Sequence, residues 1–269
     1  MPNPKKEGFV VQVNNNATNH ALQQRYGASI SGNVLTVYAT PTSNSTQVTR
    51  EKITEFSKSS KSNLTKYCRE INKDRFYSFI TLTYRHAPSS PAESKNHLHN
   101  FIRELKRIKR YSKKELSGLW IMEFQDRGAI HYHIWFSHFV KHQWIQATWN
   151  RVSQQDAKTP STDIKKWNQY TSKGLSSYAA KYANKQAQKE LPDGIKHSGR
   201  WWGKFGDVST PLAAKIKLDF EGFDIFLKMA QKTFKQIPCD YCGLFILTDQ
   251  QASEMLKIMQ SESAIPIPI

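Results

Sequence analysis

Hydrophobic and polar positions alternate most cleanly over Gly118–Phe136, which predicts a β-hairpin. Its arms are Trp120–Gln125 and Ala129–Phe136, joined by Asp126, Arg127 and Gly128. A three-residue hairpin loop places its last residue in the left-handed region, where glycine carries no penalty. This loop length pairs Gln125 with Ala129, and therefore Glu123 with His131. Side chains alternate along a strand and paired residues share a face. Glu123, Gln125, His131 and His133 are thus expected on one face, with Phe124, Ile130, Tyr132 and Ile134 on the other. A loop one residue shorter would oppose Phe124 to His131 and break the set.

The same reading predicts the surrounding elements. Leu64, Tyr67, Cys68 and Ile71 have helical spacing. Arg75–Tyr84 is β-branched and aromatic and predicts a strand. Ser90 followed by Pro91 marks a helix start. That helix has Leu98, Phe101, Ile102, Leu105 and Ile108 on one face and Arg103, Lys106, Arg107, Lys109 and Arg110 on the other. A short helix is expected over His142–Val152, with Trp144 and Trp149 in the core. Lys158–Trp167 reads as a polar connection and Lys173–Leu191 as a long helix. Residues 1–60 are rich in Asn, Ser, Thr and Gln. They are expected to form a loosely ordered arm that builds no core, apart from a short strand at Val34–Tyr38. Beyond residue 206 the pattern predicts a helix over Phe220–Lys232, a strand over Tyr241–Leu247, a helix through Met259 and an unstructured tail at Ile265–Ile269. The expected organisation is a loosely ordered polar arm over 1–60, a folded domain over 61–206, and an extension over 207–269 with helices and one strand.

Charge narrows the partner. The chain of 269 residues has 39 Lys and Arg against 22 Asp and Glu, a formal net charge of +17. Such an excess points to a polyanion, with nucleic acid first. No run of about 18 apolar residues occurs, so no membrane span is expected. The start of the chain has no apolar segment of the secretory kind. Cys68, Cys239 and Cys242 suit a reducing cytoplasm better than a disulfide framework. Cys239 and Cys242 have zinc-like spacing, but no second close pair follows, so they read as ordinary thiols.

Two imidazoles and a carboxylate on one patch suggest a divalent-metal site. Further along, Tyr178 and Tyr182 stand at i and i+4 on the predicted helix, with Lys181 and Lys185 three residues after each. A phenol with a pKa near 10 is a poor nucleophile at neutral pH without help. Adjacent lysines favour the phenolate.

Three separated pieces, Phe79-Ile-Thr-Leu-Thr-Tyr84, His131-Tyr132-His133 and Tyr178-Ala-Ala-Lys181-Tyr182, resemble in order and spacing the motifs of the HUH endonucleases. Within them, the chain is similar to the rolling-circle replication initiators of plasmids and small single-stranded DNA phages. Gly199-Arg-Trp-Trp-Gly203 resembles an aromatic-glycine segment that follows the tyrosine helix in such proteins. The resemblance covers roughly residues 63–205. It implies an α+β fold with a central antiparallel sheet and helices packed on it, the histidine strand lying centrally. It implies Mg²⁺ or Mn²⁺ held by His131, His133 and a third ligand, Glu123 or else Gln125. It also implies tyrosine attack on single-stranded or hairpin origin DNA, leaving a 5′-phosphotyrosine and a free 3′-OH. Two tyrosines fit the two-tyrosine branch, and either Tyr178 or Tyr182 has a lysine three residues on. Host helicase and polymerase are the implied partners, since no GxxxxGK[ST] phosphate loop occurs. Arg103, Lys106, Arg107, Lys109, Arg110 and Lys185 are the expected DNA contacts. A two-tyrosine transposase or a relaxase would share this chemistry. A non-catalytic basic DNA-binding protein would share only the charge.

Overall fold

The computed structural model describes residues 24–41, 52–71, 75–86, 88, 90–108, 116–125, 128–156, 161–167, 175, 177, 181, 191–193, 195–239 and 242–261. The fold is α+β, with two antiparallel sheets of five strands each. In chain order the elements are β1 (Gln24–Ser31), β2 (Val34–Pro41), α1 (Lys58–Glu70), β3 (Ser78–Thr83), α2 (Pro91–Leu105), β4 (Gly118–Phe124), β5 (Ile130–Phe136) and α3 (His142–Ser153). There follow β6 (Thr162–Lys166), β7 (Trp202–Phe205), β8 (Ala213–Leu218), α4 (Phe220–Thr233), β9 (Lys235–Ile237), β10 (Cys242–Ile246) and α5 (Asp249–Gln260).

The first sheet has the order β6-β3-β5-β4-β7, so the histidine strand β5 is its centre. Its continuous burial follows from that position: of Ile130–Phe136 only His131 is more than slightly exposed. One face of this sheet lies against α2. Ser90 caps that helix by accepting from the Glu93 amide, and Pro91 occupies its first position. Leu98, Phe101, Ile102 and Leu105 are buried, each worth about 1.5–3 kcal/mol when removed from water. Trp149 of α3 is fully buried against Tyr84 and Phe101, as the core reading of that tryptophan required.

A polar chain crosses this interface. The Tyr84 hydroxyl lies 3.0 Å from His97 Nδ1, and the Ser94 hydroxyl lies 2.6 Å from that of Tyr132. Burial pushes the phenols of Tyr84 and Tyr132 upward, so both stay protonated at neutral pH. Burial also holds the His97 imidazole below its usual range, against the opposing pull of Glu93, 3.9 Å away. The unfolded chain therefore binds this proton more readily than the folded one. The resulting stability is present in full above about pH 6.5, the free imidazole value, and is lost as pH falls toward the folded value. The urea midpoint should fall between pH 7 and pH 5, and that of His97→Gln should fall less over the same range.

The second sheet has the order β8-β1-β2-β10-β9. Residues 24–41 are therefore not a bare arm. Ala28, Ile30, Leu35 and Val37 are buried with Phe226, Phe245 and Met255 in a second apolar cluster beneath α4 and α5. The polar composition of residues 1–60 concealed this, because each strand needs only alternate apolar positions to close one face. The expected strand at Val34–Tyr38 is the middle of β2. The expected elements beyond residue 206 form, with two further strands, β8 and β9. Thr162–Lys166 is likewise a strand, pairing with β3, and not a connection. Cys68 is buried and Cys239 exposed. The Ile265–Ile269 tail lies outside the described residues.

Candidate active site

The hairpin has the register that its loop length dictates. Glu123 pairs with His131 and Phe124 with Ile130. The Gln125 amide donates to the Ala129 carbonyl at 2.8 Å, and the Gly128 amide to the Gln125 carbonyl at 2.8 Å. Gly128 has φ +76°, the left-handed conformation such a loop demands.

Across the hairpin, His133 and Glu123 are in direct contact, with Nε2 3.1 Å from the carboxylate Oε2. This is a diagonal pair, because the residue directly opposite Glu123 is His131. Both partners are nearly sealed from water, at 7% and 4% exposure. His133 Nδ1 lies 3.3 Å from the Thr81 hydroxyl, on the neighbouring strand. Its ring stacks on Phe79, with centroids 5.3 Å apart and planes 7° from parallel. The orientation of His133 is thus fixed on three sides. His131 is more open, and its ring stands 82° to that of His133 at 6.0 Å. Gln125 is half-buried just beyond the end of β4.

The donor types suit a hard or borderline divalent cation. As the side chains stand, Glu123 and His133 hydrogen-bond to each other. Among the described residues, no group of three or more His, Cys, Asp or Glu side chains is placed to hold a metal ion. The face is as expected, but the three donors do not converge, because a carboxylate buried beside an imidazole takes it as its partner.

Tyr132, between the two histidines, points to the opposite face and is tied to Ser94 of α2. This bond pins the histidine strand to the helix behind it. Lys95, one residue after Ser94, lies over the rings of Trp120 at 4.4 Å and Tyr132 at 5.2 Å. Thr81, Phe79, Ser94 and Lys95 were missed from the sequence. The period-2 pattern of Phe79–Thr83 would have placed Phe79 and Thr81 on the histidine face had the pairing of β3 with β5 been known.

Leu175, Ser177 and Lys181 are helical, and Lys181 is exposed. Tyr178, Tyr182 and Lys185 lie outside the described residues, as do Lys109 and Arg110. Of the remaining expected DNA contacts, Arg103 and Lys106 are exposed beside one groove, while Arg107 pairs with Glu104 at 3.2 Å.

Residues 77–187 match the family described as Replication-associated protein ORF2/G2P. The likeness supports a Rep-type replication initiator with DNA as a partner. The matched stretch begins at the entry to β3, contains the whole histidine hairpin and runs past Lys181, leaving both ends of the chain outside it. No curated protein and no solved structure matched the chain. Among the described helices none is long and apolar enough to cross a membrane.

Proposed function

We propose that the protein initiates rolling-circle replication by nicking single-stranded origin DNA through a tyrosine. The observation that carries this reading is the Glu123–His133 contact beside His131, on the central strand of a segment that matches a replication-associated family. His131, His133 and Glu123, or Gln125 in its place, would hold Mg²⁺ or Mn²⁺, which when bound polarises the scissile phosphate.

The resemblance to the HUH endonucleases makes the tyrosine helix the source of the nucleophile in this reading, and the buried tyrosines of the core do not compete with it. Tyr84 and Tyr132 are buried with raised pKa values and are bonded within the core. Tyr77 lies just before β3, at the end paired with Phe136. That is roughly 20 Å from the His131 end of the sheet, at about 3.4 Å per strand residue. Of the other tyrosines in the matched segment, Tyr111, Tyr170, Tyr178 and Tyr182, the last two carry the resemblance to the HUH tyrosine motif, with Lys181 between them to favour the phenolate. The tyrosine oxygen bonds to phosphorus, the bond from phosphorus to the 3′ oxygen breaks, and that oxygen takes up a proton to balance the one lost by the phenol. Tyr178 makes the first cut in this reading, and Tyr182 accepts the second transfer.

The test is incubation with hairpin-containing single-stranded DNA and Mn²⁺, followed by denaturing electrophoresis. A protease-sensitive covalent adduct is expected. Tyr178→Phe with Tyr182→Phe should form none while keeping a near-unchanged melting temperature. An adduct in that double variant would place the nucleophile elsewhere. No adduct from the unmodified chain over a broad panel of oligonucleotides would leave only DNA binding.

A further inference from the structure

A pronounced concavity of the described residues lies away from the histidines. A groove of about 1110 Å³ runs along the edge strand β7, between α2 on one side and α1 with the segment before it on the other. None of Glu123, His131 and His133 lines it. Five cations do, Lys95, Arg103, Lys106, Arg200 and Lys204, against one carboxylate, Glu55. These cations come from two stretches about 100 residues apart in sequence, so no local charge run explains their meeting.

The groove floor is aromatic, and the rings hold the lysines in place. Lys95 sits over Trp120 at 4.4 Å, Lys204 over Tyr67 at 4.8 Å and Lys106 over Phe205 at 5.9 Å. Such contacts position the ammonium groups before any ligand arrives, which lowers the ordering cost of binding. Trp202 is half-buried beside Tyr67, their ring centroids 5.9 Å apart. Gly203 allows this floor to form: a Cβ there would stand 2.8 Å from the Trp120 ring.

We propose that this groove binds single-stranded DNA along the edge of the histidine sheet. The cations complement a phosphodiester backbone, and the half-buried rings of Tyr67 and Trp202, unlike the buried Trp120 and Phe205, can meet unstacked bases. A duplex brings its phosphates to a surface but keeps its bases stacked inside, so it would leave that floor uncovered. The edge strand β7 is separated from β5 only by β4, or roughly 10 Å at two strand spacings. Trp120 and Phe205 lie on the α2 face of the sheet and Trp202 and Lys204 on the histidine face, so a strand that reaches His131 from the groove passes round β7.

The proposal rests on the Rep-type reading for its ligand, but its test does not need cleavage. Fluorescence anisotropy of a labelled oligothymidine, without added metal, reads binding alone. Arg103→Glu, Arg200→Glu and Lys204→Glu together should weaken binding at least about tenfold. They should also reduce the slope of log K against log salt by about 2, at roughly 0.7 per phosphate contact on a single strand. These three side chains are exposed, so the variant should fold. Reversing the exposed Lys228, Lys232 and Lys257 on α4 and α5 changes net charge equally and should alter binding less than about twofold. Equal losses from both sets would overturn the groove and leave only bulk charge. Competition by duplex DNA at the same affinity would overturn the single-strand assignment. Failure of the nicking reading would appear instead as absence of the covalent adduct with groove binding intact.

Discussion

His131→Ala and His133→Ala should both lose nicking by at least about a hundredfold, yet only one of them should lose substantial stability. Removing either imidazole strips the candidate site of a donor, and a catalytic metal is worth several kcal/mol of charge stabilisation. The two rings differ in what else they do. His131 is only half-buried, so its removal costs less packing. His133 is sealed, stacks on Phe79 and bonds to Glu123. Its loss opens a cavity and takes a hydrogen-bond partner from a buried carboxylate, a change that costs about 3 kcal/mol or more. Urea denaturation should therefore show a near-native midpoint for His131→Ala and a clearly lowered one for His133→Ala. Affinity for single-stranded DNA should be largely retained in both, because Lys and Arg supply most of it. A His131→Ala protein that still nicks at the unmodified rate would remove the metal from the proposal.

Gly206→Ala should be among the most damaging single changes away from the site, and Gly199→Ala is its control. Both glycines are in the left-handed region, at φ +69° and +67°. An alanine there is strained by about 1–2 kcal/mol wherever it sits. Around Gly199 a Cβ would meet nothing within 4 Å, so that strain is the whole cost. At Gly206 a Cβ would lie 2.0 Å from the Leu116 carbonyl oxygen and 2.8 Å from the Ser117 Cα. Both are backbone atoms leading into β4, and they cannot turn aside as a side chain can. Making room means shifting the start of β4 against the end of β7, which raises the total to about 3 kcal/mol or more. The expected fall in melting temperature is roughly 6–12 °C, at about 2–4 °C per kcal/mol. Equal effects from the two substitutions would show that the contact with Leu116 is soft.

The features legible in the sequence were those whose physics is local. The register of the histidine hairpin follows from a loop length and one glycine, and the start of α2 from Ser90 and Pro91. The polar strand β6, with Asp163, Lys165 and Lys166, was illegible because its strand state comes from pairing with β3 rather than from its own residues. The hairpin of β1 and β2 was a readable miss. Gly32 and Asn33 form a two-residue loop with Gly32 at φ +57°, and that dipeptide is a hairpin signal. At the site, the pairing of Glu123 with His131 was legible, whereas the diagonal bond to His133 depends on rotamers that no spacing encodes. The groove gathers residues from 53 to 205, and nothing in one window announces it.

The second sheet joins residues 24–41 to residues 213–246, with the whole histidine sheet intervening in the chain. This separation governs the order of events during synthesis. The first hairpin leaves the ribosome with both of its edges open, and a lone two-stranded hairpin is marginal in water. Its neighbours β8 and β10 follow only after some 170 further residues, a delay on the order of ten seconds or more at roughly 5–20 residues per second. Until then Ala28, Ile30, Leu35 and Val37 have no cover from α4 and α5. The nascent chain therefore passes through a stage in which one sheet can already be complete while two of the five strands of the other wait with open edges, the stage at which crowding by other copies is most hazardous.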